Sequence, residues 1–208
     1  MEVNYHTPDL FRYSLNSFIR AAKEIPQMLC MELQNHNAYR SEFKPLIESL
    51  HSNALLCVLH KKRDFIVHRG MLEVLSTGSV GTTEGRRIKI SFPFPVAAHE
   101  STQDAYERFK EVCRKDKFIR SLAGPDCDSW PIIRREWKVP DAPDKELLEL
   151  SVDAWRLIGE TISHVVVKLG GQKLDLSFSC SHEPEKVRAV EFSQKEFFKS
   201  VDGIEINS

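Results

Sequence analysis

The sequence has no C-x-x-C pair, no apolar run approaching the length of a membrane span, and no excess of either charge. Its five cysteines (Cys30, Cys57, Cys113, Cys127 and Cys180) are odd in number and scattered. That pattern excludes a disulfide framework and a zinc site, and points to reduced thiols in a cytoplasmic protein. A formal net charge of −1 over 208 residues offers no global attraction to nucleic acid, so any such binding needs a local basic patch. The opening "MEVNYHTPDLF" lacks both a basic n-region and an apolar h-region. Neither a signal peptide nor a membrane span is expected. No internal repeat is visible.

What the sequence does have is helical periodicity. After Thr7, a candidate cap, and Pro8 at the first helical position, Phe11, Leu15, Phe18, Ile19, Ala22, Leu29 and Leu33 form one apolar stripe. Pro26 falls inside it and is expected to kink or split the helix. A second helix is expected over 41–62, with Leu46, Ile47, Leu50, Ala54, Leu55, Val58 and Leu59 on its buried side. A third is expected over 145–169, with Leu147, Leu150, Val152, Trp155, Ile158, Ile162 and Val166 inward and Gly170–Gly171 as its stop.

Between these helices the pattern changes. "STGSVGTTEGRR" lacks periodicity and reads as a flexible loop. "RIKISFPFP" alternates as a short edge strand, and "STQDAYERFKEVCRKDKFIRSL" is a short amphipathic helix. "GPDCDSWPIIRREWKVPDAPD" reads as a proline-punctuated loop. "KLDLSFSC" alternates like a strand, "VRAVEF" is a weaker strand candidate, and the last residues are expected to fray. The expected fold is therefore mainly α. Residues 1–70 and 144–170 form an antiparallel helical bundle, 71–143 an irregular insertion, and 171–208 a small β or irregular appendix.

The stretch "KKRDFIVHRG" carries the candidate chemistry. With fourteen arginines and eight histidines in the chain, one Arg-x-x-x-x-His spacing arises by chance roughly half the time, so the setting matters more than the spacing. Arg63 ends an apolar helix, Asp64 follows it, and Phe65, Ile66 and Val67 anchor the segment before His68. If the helix continues, Arg63 and His68 stand about a turn apart and share a face, with Asp64 beside them. An imidazole that titrates near neutrality and a permanently charged guanidinium suit phosphodiester cleavage.

"RDFIVH", together with the helix "FKPLIESLHSNALLCVLHKK" leading into it, resembles the HEPN domain family. The family consists of helical bundles marked by an arginine, often followed by Asn, Asp or His, and then a histidine four to six positions later. The resemblance covers about 120 residues: the N-terminal helices, the motif and the 145–169 helix. It implies a HEPN-like bundle working as a homodimer, with two motifs facing one cleft, and a metal-independent endoribonuclease that needs no cofactor. Carried over, Arg63 stabilises the scissile phosphate, His68 acts on the 2′-hydroxyl or the leaving oxygen, and Asp64 orients either of them. Lys62 and Arg69 are read as phosphate contacts from their charge alone. The implied partners are RNA and a second copy of the chain, with no membrane; the kind of regulatory protein partner, if one attends, is left open.

Each of these readings has a plainer alternative. Lys61, Lys62, Arg63, His68 and Arg69 would also decorate a helix C-terminus favourably. A HEPN-like fold can be a catalytically silent dimerisation or interaction module. A ligand-sensing helical protein, with 71–143 covering a pocket, is a third reading. His51 and His60 lack an acidic residue to complete a metal triad, and Cys57 reads as a core thiol. Trp130 and Trp137 around "PIIRRE" suit base stacking, but more often such residues pin a loop. Glu146 and Glu149 read as a solvated helix start.

Overall fold

The computed structural model describes residues 1–69, 72–84, 87–122, 131–140, 142, 144–176 and 184–203, with backbone alone at 65–69, 83–84, 87–89, 122 and 184–185. In chain order the elements are α1 (Pro8–Leu33), a π-helical turn (Tyr39–Phe43), α2 (Lys44–Ser52), α3 (Ala54–Arg69), β1 (Leu75–Glu84) and β2 (Arg87–Pro93). There follow α4 (Thr102–Lys115), α5 (Lys117–Leu122), β3 (Pro131–Lys138), α6 (Leu147–Lys168), α7 (Pro184–Arg188), β4 (Ala189–Glu191) and α8 (Gln194–Asp202). The protein is mainly helical with one four-stranded antiparallel sheet.

The chain divides into two compact units. The first holds Met1, Arg12–Glu73 and Val139–Ser181, and so contains most of α1 with α2, α3 and α6. Phe11, Leu15, Ile19, Ala22 and Leu33 of the α1 stripe are buried, and Pro26 does not split the helix. Loss of one backbone hydrogen bond at Pro26 is tolerated because apolar anchors lie on both sides of it. Within the unit Leu33, Phe43, Ile47 and Val165 form one cluster.

The expected 41–62 helix is instead broken at Asn53, which has extended geometry (φ −65, ψ 126). Its Oδ1 accepts from the N–H groups of Leu55 (3.0 Å) and Leu56 (3.4 Å), capping α3. The break resets the helical phase. Ala54 is exposed, Leu55 half-buried, and Leu56 fully buried, beside Leu59.

Helix α6 matches the expected span closely, with two corrections. Trp155 is 37% exposed, not inward. Glu146 is buried rather than solvated, because its Oε2 caps the helix by accepting from Leu148 N (2.7 Å) and Glu149 N (3.2 Å). Gly170 (φ +85) ends the helix, and the Gly171 N–H donates to Val166 O at 2.8 Å.

The second unit holds Glu2–Phe11, Val74–Lys138 and His182–Ser208. Its sheet has the order β2-β1-β3-β4. Two expected loops are therefore strands: "STGSVGTTE" is β1, inside the sheet between β2 and β3, and "PIIRREWK" is β3. Gly78 is needed in β1 because a Cβ there would stand 2.4 Å from Val96 Cγ2. Pro131 is tolerated because it opens β3, where no ladder donor is lost from the strand interior. Among the described residues of 71–143 the structure is thus largely regular strand and helix, and the sheet is completed by β4 from the C-terminal tail.

Helix α4 starts at a capping box between Ser101 and Asp104. Its buried face (Ala105, Tyr106, Phe109, Cys113) packs with Val80, Val96, Ile133, Phe197 and Phe198. The last two belong to α8, a capped helix where fraying was expected. "VRAVEF" divides between α7 and β4, ending with Phe192 outside both. Residues 173–176 of "KLDLSFSC" are not strand, and 177–180 lie outside the described residues, as do Cys127 and Trp130.

Alternation along β3 buries Ile133, Arg135, Trp137 and, just beyond the strand, Val139. The Arg135 guanidinium lies 3.7 Å over the Trp137 ring and donates to Ser76 Oγ (3.0 Å), Ala97 O (3.0 Å) and Glu100 O (2.6 Å). Trp137 is fully buried, so it is not available to stack a base.

Candidate functional site

The motif lies on α3, which continues as one helix from Ala54 through Arg69. Five positions along an α-helix turn about 140° around its axis, so positions 63 and 68 do not share a face. This corrects the expected side-by-side arrangement of Arg63 and His68. The side chains of His68 and Arg69 lie outside the described residues.

What α3 does assemble is a charged cluster with α1. Asp64 Oδ1 accepts from Lys23 Nζ at 2.6 Å and from Arg63 Nη1 at 3.4 Å. The two bonds are unequal, and the shorter one comes from a residue outside the motif. Lys23 follows the buried Ala22 on α1. Its side chain is only 19% exposed, which holds the ammonium over α3, whereas that of Asp64 is 51% exposed. The Lys23 hydrogen bond, with Arg63 adding to it, holds the Asp64 carboxyl below its usual range. Arg63 Nε is shielded from solvent and has no hydrogen-bond partner among the described residues. Lys62 is half-buried.

His60 stands one turn before Asp64 on the same face of α3. Its ring centroid lies 6.0 Å from that of His51. Burial pushes its pKa down, and His51 and Lys23 push it further in the same direction, favouring a neutral imidazole. Lys23 and His60 are the residues that sequence reasoning missed for this cluster. The i, i+4 relation of His60 and Asp64 was legible, but nothing in the sequence pairs Lys23 with Asp64. Cys57 is half-buried and donates to His51 O at 3.2 Å, which sets it against the α2–α3 junction.

Among the described residues no group of three His, Cys, Asp or Glu stands where it could hold a metal ion. No described helix is long and apolar enough to cross a membrane. No family model matches the chain, and neither does any curated protein or solved structure.

Proposed function

We propose that this chain is a HEPN-like, metal-independent endoribonuclease whose reactive groups are supplied by α3. The observation that carries the reading is the cluster that Arg63 and Asp64 of the motif helix make with Lys23 of α1. A carboxylate held ionised beside a guanidinium fixes that guanidinium as a phosphate anchor, and Arg63 retains donor capacity to spend on a substrate oxygen. Because positions 63 and 68 diverge around α3, one copy does not offer both groups to one phosphate. A homodimer with α3 near its two-fold axis does, Arg63 coming from one copy and His68 from the other. Arg63 then stabilises the phosphorane, and His68 transfers the proton of the 2′-hydroxyl or of the leaving oxygen. Lys62 and Arg69 contact neighbouring phosphates.

The same divergence, with Asp64 neutralising Arg63, favours a second reading: a catalytically silent HEPN-like interaction module. RNA cleavage in EDTA decides between them, comparing wild type with Arg63→Ala, His68→Ala and His60→Ala. The nuclease reading expects each of the first two to lose about 100-fold or more. It also expects products ending in a 2′,3′-cyclic phosphate and no cutting of DNA. Loss in His60→Ala with activity kept in His68→Ala would move the proton carrier to His60. Absence of wild-type cleavage on structured and unstructured RNA supports the interaction module.

A further inference from the structure

The break at Asn53 sets two imidazoles beside each other. His51 stands in the last turn of α2 and His60 in the second turn of α3. Their ring centroids lie 6.0 Å apart, with the ring planes at 55°. Two contacts hold the pair in place. The Cys57 thiol, one turn before His60 on α3, donates to His51 O at 3.2 Å. The His60 ring donates to the Ala22 backbone on α1. His60 Nε2 is shielded from solvent and has no hydrogen-bond partner among the described residues. His51 is exposed, which leaves the pair open to solvent on that side.

We propose that His51 and His60 together bind one divalent transition-metal ion of the class that prefers imidazole, Cu2+ most tightly and then Ni2+ or Zn2+. The distance fits. An ion about 2.0–2.1 Å from a ring nitrogen lies about 3.2 Å from that ring's centroid, so two rings sharing it stand at most about 6.4 Å apart. The observed 6.0 Å lies inside that limit, so side-chain rotation alone brings both nitrogens onto one ion. His60 also has the surroundings of a ligand: one N–H held by a backbone carbonyl, and the other nitrogen without a partner. Burial adds to this by favouring the neutral imidazole, the form that ligates. Lys23 is the cation that opposes an ion here, and its ammonium is engaged by Asp64 at 2.6 Å. With two protein ligands the remaining positions go to water, so the site is weaker than a closed structural one. An ion there bridges the Asn53 break and clamps α2 to α3. It is a clamp and not a reactant. The site uses neither Arg63 nor His68, so it stands whether or not the chain cleaves RNA.

The test is titration of the full, untagged chain with Cu2+, followed by calorimetry and by the NMR signals of the histidine rings. Paramagnetic Cu2+ added below one equivalent should broaden the His51 and His60 rings together, ahead of every other histidine. His51→Ala and His60→Ala should each weaken Cu2+ about tenfold or more, with an unchanged circular dichroism spectrum. Excess Mg2+, which takes oxygen ligands, should not displace the Cu2+. If His60→Ala does not fold, His51→Ala decides the question, since that side chain is exposed. Full Cu2+ affinity in His51→Ala, first broadening at another histidine, displacement by Mg2+, or no binding of Cu2+ at millimolar concentration would each overturn the site.

Discussion

The Lys23 ammonium lies 2.6 Å from Asp64 Oδ1, closer than the guanidinium of neighbouring Arg63. The pair joins α1 to the motif helix across 41 positions of sequence. It makes Lys23 the main group lowering the pKa of the carboxylate next to the candidate phosphate anchor. Lys23→Met should therefore raise the Asp64 pKa toward its ordinary value. The sign follows from the depression: the pair's stabilisation is present above the ordinary carboxylate range and is lost as pH falls through the lowered Asp64 pKa. A carbon-13 titration of the Asp64 carboxyl reads this directly. Identical curves in wild type and Lys23→Met would show that the pair does not form in solution.

The phase reset at Asn53 makes a paired expectation. Leu56 is fully buried, whereas Leu55 is partly exposed and Ala54 exposed. Leu56→Ala should cost about 2–4 kcal/mol and Leu55→Ala less than about 1 kcal/mol. Urea unfolding of the two variants distinguishes this arrangement from an unbroken helix, which would bury Leu55 and expose Leu56.

The long, strongly periodic elements were legible because their apolar spacing is itself the packing instruction. Phe11, Leu15 and Ile19 mark α1, Leu147, Leu150 and Ile158 mark α6, and Tyr106, Phe109 and Cys113 mark α4. The strand β1 was hidden because its Gly78 serves close approach rather than turning. Gly78 lets Val96 sit against the strand, and no alternation of large apolar residues announces it. Strand β3 was masked by prolines that stand at its start and beyond its end, and by Arg135, whose buried charge looks like a solvent residue in sequence. Helix α8 did carry a signal, since Ser193 accepts from Glu196 N in an S-x-x-E cap. In the candidate site, Arg63 and Asp64 could be read from spacing, but the Lys23 contact depends on tertiary packing between helices.

Arg135 places a positive charge inside the second unit, with Trp137 beneath it and three oxygen acceptors around it. Arg135→Met keeps apolar bulk over the indole but leaves Ala97 O and Glu100 O without this donor. The expected loss is about 2–4 kcal/mol in urea unfolding. A loss below about 1 kcal/mol would mean that water takes over those acceptors.

His6 ties the N-terminal segment into the same unit, bonding Thr102 Oγ1 and Val187 O at 2.8 Å each. Burial lowers its pKa below 6.5, with the Arg135 charge acting in the same direction against the raising effect of the Val187 carbonyl. A folded state that favours neutral His6 is stabilised above the unfolded pKa, and the advantage is lost as pH falls from there through the lowered value. Stability of the wild type should therefore decline below about pH 6.5. His6→Asn should be less stable at neutral pH and should show a smaller decline on acidification. Equal pH slopes in the two proteins would assign the acid loss to another group.

The divergence of positions 63 and 68 around α3 separates a composite site from a single-chain one. If cleavage joins Arg63 of one copy to His68 of its partner, Arg63→Ala and His68→Ala are each inactive alone but complementary when mixed. A mixed dimer contains one site with both mutations and one with neither. Random exchange makes half of the dimers mixed, and each carries one of its two sites intact, so activity should return to about a quarter of wild type. The recovery should require prior subunit exchange and should disappear on dilution below the dimer dissociation constant. A mixture as inactive as its components, after exchange is verified by native mass spectrometry of differently tagged chains, would place both groups within one copy. That outcome requires α3 to unwind between Arg63 and His68, because a continuous helix keeps them on different faces.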